Sequence, residues 1–187
     1  MPIANDVLAR YRGSNEVFIE TGTFLGDGVK RALDAGYKRI YSIEINEGLV
    51  THNRAQFAQL PQVTIVHGDS SKDLANLLKE VNTPATFWLD GHFSNNPLTG
   101  FNPELVCPVL QELEQIRLHA PNNVPMQSHT ILIDDVRLFH ETGRKLDGYF
   151  QLTIDLVIAK LKEINPNYVL AYEAGVQPND ILTARCG

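Results

Sequence analysis

Short apolar runs alternate along the chain with longer segments in which apolar residues recur every three or four positions. The short runs are rich in β-branched and aromatic residues and predict strands, whereas the longer segments have the period of helices. The last two predicted strands are separated only by the link from Gly175 to Asp180, which is typical of a hairpin. Predicted strands occupy residues 16–20, 39–43, 63–66, 85–89, 130–133, 168–172 and 181–184.

The helical segments lie before and between these strands. Asn46 has the side chain of an N-cap for the third helix, and Asn102 with Pro103 forms an N-cap and first-turn pair for the fifth. Predicted helices occupy residues 3–11, 26–35, 47–60, 72–81, 103–119 and 151–164.

Strands separated by helices of this length require crossover connections. The sequence therefore predicts an α/β fold with a doubly wound, mostly parallel sheet and an antiparallel last strand. No linker, repeat or low-complexity segment interrupts the chain, and we expect residues 1–187 to form one domain. In open sheets of this kind ligands bind beyond the carboxyl ends of the strands. The residues that follow each strand are therefore the candidates for chemistry.

A glycine-rich loop follows the first predicted strand. It reads Glu20-Thr-Gly-Thr-Phe-Leu-Gly-Asp-Gly28 and leads into a helix whose amino end can face a ligand. Three residues separate Gly22 from Gly26, so the loop does not match the dinucleotide pattern G-x-G-x-x-G. A structural β-α turn is the alternative, because such turns also use glycine.

Acidic residues follow the second and third predicted strands. Glu44 is placed to accept hydrogen bonds from the 2′- and 3′-hydroxyls of a ribose, with a solvated surface glutamate as the alternative. Asp69 is placed to accept a hydrogen bond from an exocyclic amine such as that of adenine. The alternative, equally supported by the local sequence, is an N-cap on the next helix, a role that Ser70 and Ser71 also fit.

Three aspartates follow the fourth and fifth predicted strands. Asp90 comes after the fourth strand, and Asp134 and Asp135 come after the fifth. If these strands are neighbours, their ends lie about 4.8 Å apart and the three carboxylates share one crevice. Like charges there need a compensating cation, and hard oxygen ligands favour Mg²⁺ or a similar divalent ion. The alternative is that Asp134 or Asp135 caps a turn while Asp90 is solvated.

His92 is a candidate general base. Its unperturbed pKa lies near neutrality, and it comes two residues after Asp90. A structural or exposed histidine is the alternative. The segment 135–149 adds His140, Arg137 and Arg144 as candidates to line a substrate pocket.

Composition narrows the partners. Acidic residues outnumber basic ones by 22 to 16 without a dense Lys/Arg cluster, which argues against nucleic acid as the main partner. No apolar run approaches the roughly 20 residues of a membrane span, and the first residues form no secretory signal. Cys107 and Cys186 lack metal-type spacing, so we expect free thiols in a cytoplasmic protein.

Taken in order, these motifs resemble those of class I S-adenosylmethionine-dependent methyltransferases. The resemblance rests on E-x-G-x-x-x-G-x-G after the first strand, Glu44 after the second, Gly-Asp after the third and Leu-Asp after the fourth. It covers nearly the whole chain. Trp88-Leu-Asp-Gly-His92 and Ile131-Leu-Ile-Asp-Asp135 look more narrowly like the macrocin O-methyltransferase group, which modifies sugars on natural products.

The resemblance implies a Rossmann-like sheet with strand order 3-2-1-4-5-7-6 and S-adenosylmethionine as the cofactor. It implies O-methylation of a hydroxyl on a small molecule or sugar, with His92 and Asp90 in the catalytic site. It also implies Mg²⁺ or another divalent cation on Asp90, Asp134 and Asp135. The cofactor-binding residues that it implies are Glu20, Gly22, Thr23, Gly26, Glu44, Ile45, Asp69, Ser70 and Asp90.

The chain departs from the macrocin group because one predicted helix, 3–11, precedes the first strand, so we expect that group's larger N-terminal lids to be absent. Two other functions remain open. A glycosyltransferase would use Asp90-Gly-His92 as a metal and diphosphate motif, but would leave the glycine loop and Glu44 without a role. A non-catalytic S-adenosylmethionine-binding domain would keep the loop, but would give no reason to group three aspartates with His92.

Overall fold

The computed structural model describes residues 3–92, 106–119, 129–139 and 152–187. Its strands are β1 Val17–Thr21, β2 Arg39–Glu44, β3 Val63–His67, β4 Ala85–Leu89, β5 Thr130–Ile133, β6 Val169–Glu173 and β7 Ile181–Arg185. Its helices are α1 Asn5–Arg12, α2 Asp27–Asp34, α3 Glu47–Gln56, α4 Ser70–Leu78, α5 Val109–Leu118 and α6 Ile154–Ile164. A short 3₁₀ helix that the sequence analysis did not predict spans Val136–Phe139.

The seven strands form one sheet in the order β3-β2-β1-β4-β5-β7-β6. All neighbouring pairs from β3 to β5 are parallel, and β7 runs antiparallel to both β5 and β6. The predicted fold class and strand order are therefore confirmed. Because Leu89 of β4 pairs with Ile133 of β5, Asp90 and Asp134 leave adjacent strands at the same level.

The reversed direction of β7 has a consequence for the site. Leu182 of β7 pairs with Ile133 of β5, so the beginning of β7 lies at the edge where the parallel strands end. Asp180, which directly precedes β7, therefore reaches the same edge as Asp134.

The central strands are covered on both faces. All five residues of β1 and all five of β4 are buried, as expected for parallel strands between two helical layers. Ile19 and Phe87 pack with apolar residues of α4, α5 and α6, whereas Phe18 and Trp88 pack with those of α1, α2 and α3. The two layers shelter the carboxyl ends of the central strands from solvent.

The fifth helix differs most from its prediction. It begins at Val109 with Pro108 as its N-cap, and Val106 and Cys107 are not helical. Proline has no N–H to donate to a preceding turn and disfavours a helical residue before it, so the helix starts after Pro108 instead of running through it. The predicted N-cap pair, Asn102 with Pro103, lies outside the described residues.

Other helix boundaries shift by a few residues for local reasons. α4 begins at Ser70 instead of residue 72, because Asp69 caps it by accepting a hydrogen bond from the backbone N–H of Ser71. α6 begins at Ile154, where Thr153 Oγ1 accepts from the N–H of Leu156 at 3.2 Å. Gln151, its predicted first residue, lies outside the described residues. Among the described helices, none has the length and apolar content needed to cross a membrane.

Candidate functional site

The glycine loop after β1 packs tightly against the residues that follow β4. Gly22 has φ +82°, and a Cβ added to it would lie 2.4 Å from the backbone oxygen of Asp90. Gly26 precedes α2 and also has a left-handed backbone, with φ +80°. Any side chain at Gly22 would therefore push the loop away from the β4 exit.

Glu20 supports this loop from beneath. Its side chain is buried, and a Cβ on Gly28 would lie 1.7 Å from its Oε1. Ser42 Oγ donates to Glu20 Oε2 at 2.6 Å and lies 2.6 Å from Thr23 Oγ1. Burial raises the pKa of Glu20 well above its ordinary value, which favours the neutral carboxyl. Glu20 and Thr23 thus fix the loop from inside the fold.

Glu44 ties the loop to the end of β2. Its Oε2 accepts from the N–H of Phe24 and its Oε1 from the N–H of Asn46, both at 2.9 Å. Glu44 is 5% exposed, so the alternative of a solvated surface glutamate is wrong. A carboxylate oxygen can accept more than one hydrogen bond, so Glu44 keeps acceptor capacity for a ribose. Ile45, the next residue, is 40% exposed beside it.

Asp69 takes the capping role that was its alternative. Its Oδ1 accepts from the backbone N–H of Ser71 at 3.0 Å and from Ser71 Oγ at 2.6 Å. Although burial opposes the effect, these bonds and the neighbouring Lys72 hold the pKa of Asp69 below its usual value. Ser70 turns inward, where its Oγ donates to Glu112 Oε1 at 2.6 Å.

The structure places His92 between two of the predicted metal ligands. Its Nε2 lies 2.5 Å from Asp135 Oδ2, and its Nδ1 lies 3.4 Å from Asp90 Oδ1. Oxygens of Asp134, Asp135 and Asp180 lie within 4.8 Å of one another. Within the described part of the chain, Asp134 Oδ2 is buried with no hydrogen-bond partner. Asp134 and Asp135 therefore lie together with Asp180, whereas Asp90 is linked to this group through its contact with His92.

Charge in this crevice is divided unequally. Although burial opposes it, a hydrogen bond to Asp135 and the charge of Asp90 raise the pKa of His92 to about 9. The same contact and Arg137 lower the pKa of Asp135 to about 2, against the effect of burial. Burial and the neighbouring carboxylates raise the pKa of Asp134 to about 7. Burial also raises the pKa of Asp90 to about 6, although the nearby His92 opposes this shift. The raised pKa favours the protonated form of His92, which must lose a proton before it can act as a base.

Two residues that the sequence analysis did not assign to this edge complete the crevice. Arg137 Nη1 contacts both Asp135 Oδ1 and Asp180 Oδ2, and Asp180 is fully buried. Arg137 was considered only as a residue that lines a substrate pocket; His140 and Arg144, predicted beside it, lie outside the described residues. The predicted hairpin was the signal for Asp180, because an antiparallel last strand begins at this edge.

Glu112 is a further buried acid that the sequence analysis missed. It lies on the otherwise apolar face of α5 and is 1% exposed. Burial raises its pKa to about 7, against hydrogen bonds from Ser70 and Thr21. A Cβ on Gly91 would lie 2.9 Å from its Oε1, so Glu112 packs directly against the chain between Asp90 and His92. An acidic residue on a predicted apolar helix face was the available signal.

A cavity of about 10 Å³ separates Glu112 from Asp134. His92 and Cys107 also line it. This volume is about that of one water molecule, so the interior of the crevice is polar but has little room.

Comparison with known proteins adds evidence at the level of fold. No protein-family model and no curated protein matches the chain. Among solved structures, a Streptococcus mutans protein assigned as a methyltransferase, in complex with S-adenosylhomocysteine (SAH), is 16% identical, with a TM-score of 0.59 over 99% of this chain and 98% of that one. An O-methyltransferase from Bacillus cereus in complex with SAH is 14% identical, with a TM-score of 0.58 over 98% and 78%.

A third similar structure is an rRNA methylase from Streptococcus thermophilus. It is 13% identical, with a TM-score of 0.53 over 97% of this chain and 93% of that one. The narrower resemblance to the macrocin O-methyltransferase group stays a prediction. At these identities the likeness establishes the fold, and this chain has the Rossmann-like fold of S-adenosylmethionine-dependent methyltransferases.

Proposed function

We propose that this chain is an S-adenosylmethionine-dependent O-methyltransferase that acts on a hydroxyl of a small molecule or sugar with help from a divalent ion. One observation carries the proposal. The glycine loop, Glu44 and the cluster around His92 lie at the same edge, after the adjacent strands β2, β1, β4 and β5. The domain organisation of residues 1–187 and the cytoplasmic location stay predictions.

The loop and its surroundings fit the cofactor. The missing Cβ of Gly22 lets the loop turn tightly against the backbone of Asp90, and Glu44 has acceptor capacity for the ribose hydroxyls. We assign Gly22, Thr23, Gly26 and Ile45 to the same binding site. Several carboxyl groups at this edge favour a positively charged sulfonium over a pyrophosphate.

The adenine end is assigned to the turn before α4. Asp69 and Ser70 follow β3, next to the end of β2 that carries Glu44. Because Asp69 already caps α4, its side chain is fixed in orientation and its remaining acceptor capacity can face an exocyclic amine.

The donor set at the crevice fits a divalent ion. Carboxylate oxygens are the ligands that Mg²⁺ prefers, and Asp134 Oδ2 is a buried oxygen with no partner among the described residues. We assign the ion to Asp90, Asp134 and Asp135. Such an ion would supply positive charge that lowers the pKa of the acceptor hydroxyl, and S-adenosylmethionine would supply the methyl group from its sulfonium.

The chain's own residues then orient the acceptor and hold its proton. The carboxylates fix the position of the hydroxyl, and orientation alone contributes several kcal/mol to such displacements. His92 is cationic while it compensates Asp90 and Asp135, and additional positive charge at these carboxylates lowers its pKa. After one proton of His92 has passed to solvent, the neutral imidazole can take the proton of the hydroxyl at its free nitrogen.

The experiment has two stages. Calorimetry with SAH tests cofactor binding, with Glu44→Gln as the sensitive variant and Glu47→Gln, an exposed neighbour in α3, as the matched control. Labelled S-adenosylmethionine is then incubated with diol-bearing sugars, other small hydroxyl compounds and rRNA fragments, with and without a chelator. Absence of SAH binding overturns the proposal. Methylation of RNA alone overturns the acceptor class, and full activity in chelator overturns the metal.

A further inference from the structure

The guanidinium of Arg137 already lies among the carboxylates that follow β5 and precede β7. Arg137 Nη1 contacts Asp135 Oδ1 and Asp180 Oδ2, while His92 Nε2 lies 2.5 Å from Asp135 Oδ2. The two carboxylate oxygens of Asp135 are therefore both engaged, one by the guanidinium of Arg137 and the other by the imidazole of His92. A divalent ion that binds Asp135 must compete with one of them.

Hydrogen bonds within the fold fix the position of Arg137. Its backbone N–H donates to Asp180 Oδ1 at 3.2 Å, and the N–H of Val176 donates to Asp180 Oδ2 at 3.2 Å. The backbone oxygen of Asp180 accepts from the N–H of Val136 at 2.9 Å. Asp180 is 0% exposed, so it forms a buried anchor that links the 3₁₀ helix to the start of β7.

Asp134 behaves differently from its two neighbours. It is 2% exposed, and its Oδ2 has no hydrogen-bond partner within the residues that the structure describes. Yet an oxygen of Asp134 lies within 4.8 Å of oxygens of Asp135 and Asp180. Three carboxylates at this spacing form a ligand set for a hard divalent ion, and the guanidinium of Arg137 occupies two of them.

We propose that Arg137 is a specificity-determining residue that decides where a divalent ion binds at this edge. Its guanidinium holds Asp135 Oδ1 and Asp180 Oδ2, so it withholds Asp180 from the ion that we assign to Asp90, Asp134 and Asp135 and competes with that ion at Asp135. Removal of the guanidinium therefore turns Asp134, Asp135 and Asp180 into a divalent-cation site. This inference deepens the metal assignment above but does not depend on methyl transfer.

The test is calorimetric titration of the full chain with Mn²⁺ alone. Arg137→Gln is expected to bind Mn²⁺ about tenfold or more tightly than the unchanged protein, because a competing positive charge has been removed from the ligand oxygens. Arg137→Lys keeps the charge and is expected to bind as the unchanged protein does. Arg117→Gln, which removes a surface arginine paired with Glu114, is the matched control.

A double variant identifies the third ligand. Arg137→Gln combined with Asp180→Asn is expected to lose the gained affinity, because the ligand set then has only two carboxylates. A folded Arg137→Gln protein with unchanged Mn²⁺ affinity overturns the inference, and so does a gain that survives in the double variant.

Stability offers a second readout if Arg137→Gln unfolds without metal. Mn²⁺ is then expected to restore a cooperative melting transition, and failure to do so overturns the inference. SAH affinity is measured on the same samples. If the unchanged protein does not bind SAH, the proposed function is rejected, but the comparison of Mn²⁺ affinities remains valid.

Discussion

Two buried histidines lie at opposite edges of the sheet, and burial alone does not decide their charge. His92 follows β4 at the carboxyl edge, between Asp90 and Asp135. His129 precedes β5 at the amino edge, where its Nδ1 accepts from the N–H of Ala85 at 3.0 Å and its ring meets Phe87 edge-on at 5.3 Å. Burial, with a smaller effect of His119, lowers the pKa of His129 to about 4, whereas that of His92 rises to about 9.

The two edges differ in the same way. At the amino edge, Asn15 Nδ2 donates to Thr86 Oγ1 at 3.1 Å, and His129 Nε2 is buried with no hydrogen-bond partner among the described residues. At the carboxyl edge, carboxyl groups outnumber cations around Asp134, and one carboxylate oxygen there has no partner among the described residues. The comparison teaches that burial lowers the pKa of a histidine without a charged partner, whereas neighbouring carboxylates reverse the shift at the carboxyl edge.

The largest expected effect is on His92. His92→Gln should slow methyl transfer by about 10²–10⁴-fold, since a positioned base contributes that much, while SAH affinity stays nearly unchanged. Turnover assays on the acceptor and SAH calorimetry check this together. His52→Gln, an exposed histidine in α3, is the control and should change neither. An unchanged turnover in His92→Gln would reject its role at the carboxyl edge.

Glu44 should show the next largest effect. Glu44→Gln removes the negative charge from a carboxylate assigned to the ribose, and a charge-assisted hydrogen bond is worth about 1.5–3 kcal/mol. We expect SAH affinity to fall by about tenfold to a hundredfold. Asn15→Ala at the amino edge should lower stability but leave SAH affinity unchanged. Equal losses of SAH affinity in both variants would remove the distinction between the edges.

Glu112 is a carboxyl group that is buried at the carboxyl edge and hydrogen-bonded by the neutral side chains of Ser70 and Thr21. Its folded-state pKa of about 7 is higher than its ordinary value of 4.5, so the neutral form stabilises the fold and stability falls as pH rises through this interval. Glu112→Gln keeps an acceptor oxygen for Ser70 Oγ. The free energy of unfolding of this variant, measured relative to the unchanged protein, should be about 3 kcal/mol higher at pH 8 than at pH 4.5. Urea unfolding at the two pH values measures this, and a parallel pH slope in both proteins would contradict it.

His129 should give a smaller effect of opposite sign. Its folded-state pKa of about 4 is lower than the ordinary 6.5, so its contribution to stability is present above pH 6.5 and is lost as pH falls toward 4. Between pH 7.5 and pH 5 the loss from this group is about 2 kcal/mol. His129→Phe should remove that part of the pH slope in urea unfolding, whereas His52→Gln should keep it. If His129→Phe retains the full slope, burial of His129 is not its cause.

Much of the fold is visible in the sequence because it depends on local pattern. The strand at 85–89 has the same bounds in the structure, and every other predicted strand differs by at most one residue at either end. Asn46 caps α3 as predicted, since an N-cap needs only its own side chain and the N–H of Leu49. The strand order came from family resemblance, and residue pattern alone gave only the mostly parallel sheet.

The site was predictable to the extent that it follows parallel strands. Asp90 and Asp134 each follow a strand that the local pattern identifies. Predicting that they follow adjacent strands required only the assumption that β4 and β5 are neighbours, and the structure shows that they are. The charge of His92 was not predictable in this way. It depends on the distance from Nε2 to Asp135, a residue 43 positions later in the chain, and no local signal encodes that distance.

The sequence by itself determined which elements form and which carboxylates end the parallel strands, because both follow from periodicity within a few residues. Only the tertiary structure decided that Asp180 reaches the same edge and holds Arg137 against Asp135. That contact exists because β7 runs antiparallel to β5 and brings its first residues to the place where β5 ends. Electrostatic interactions act through space, so the charge state of these groups is a property of the assembled sheet.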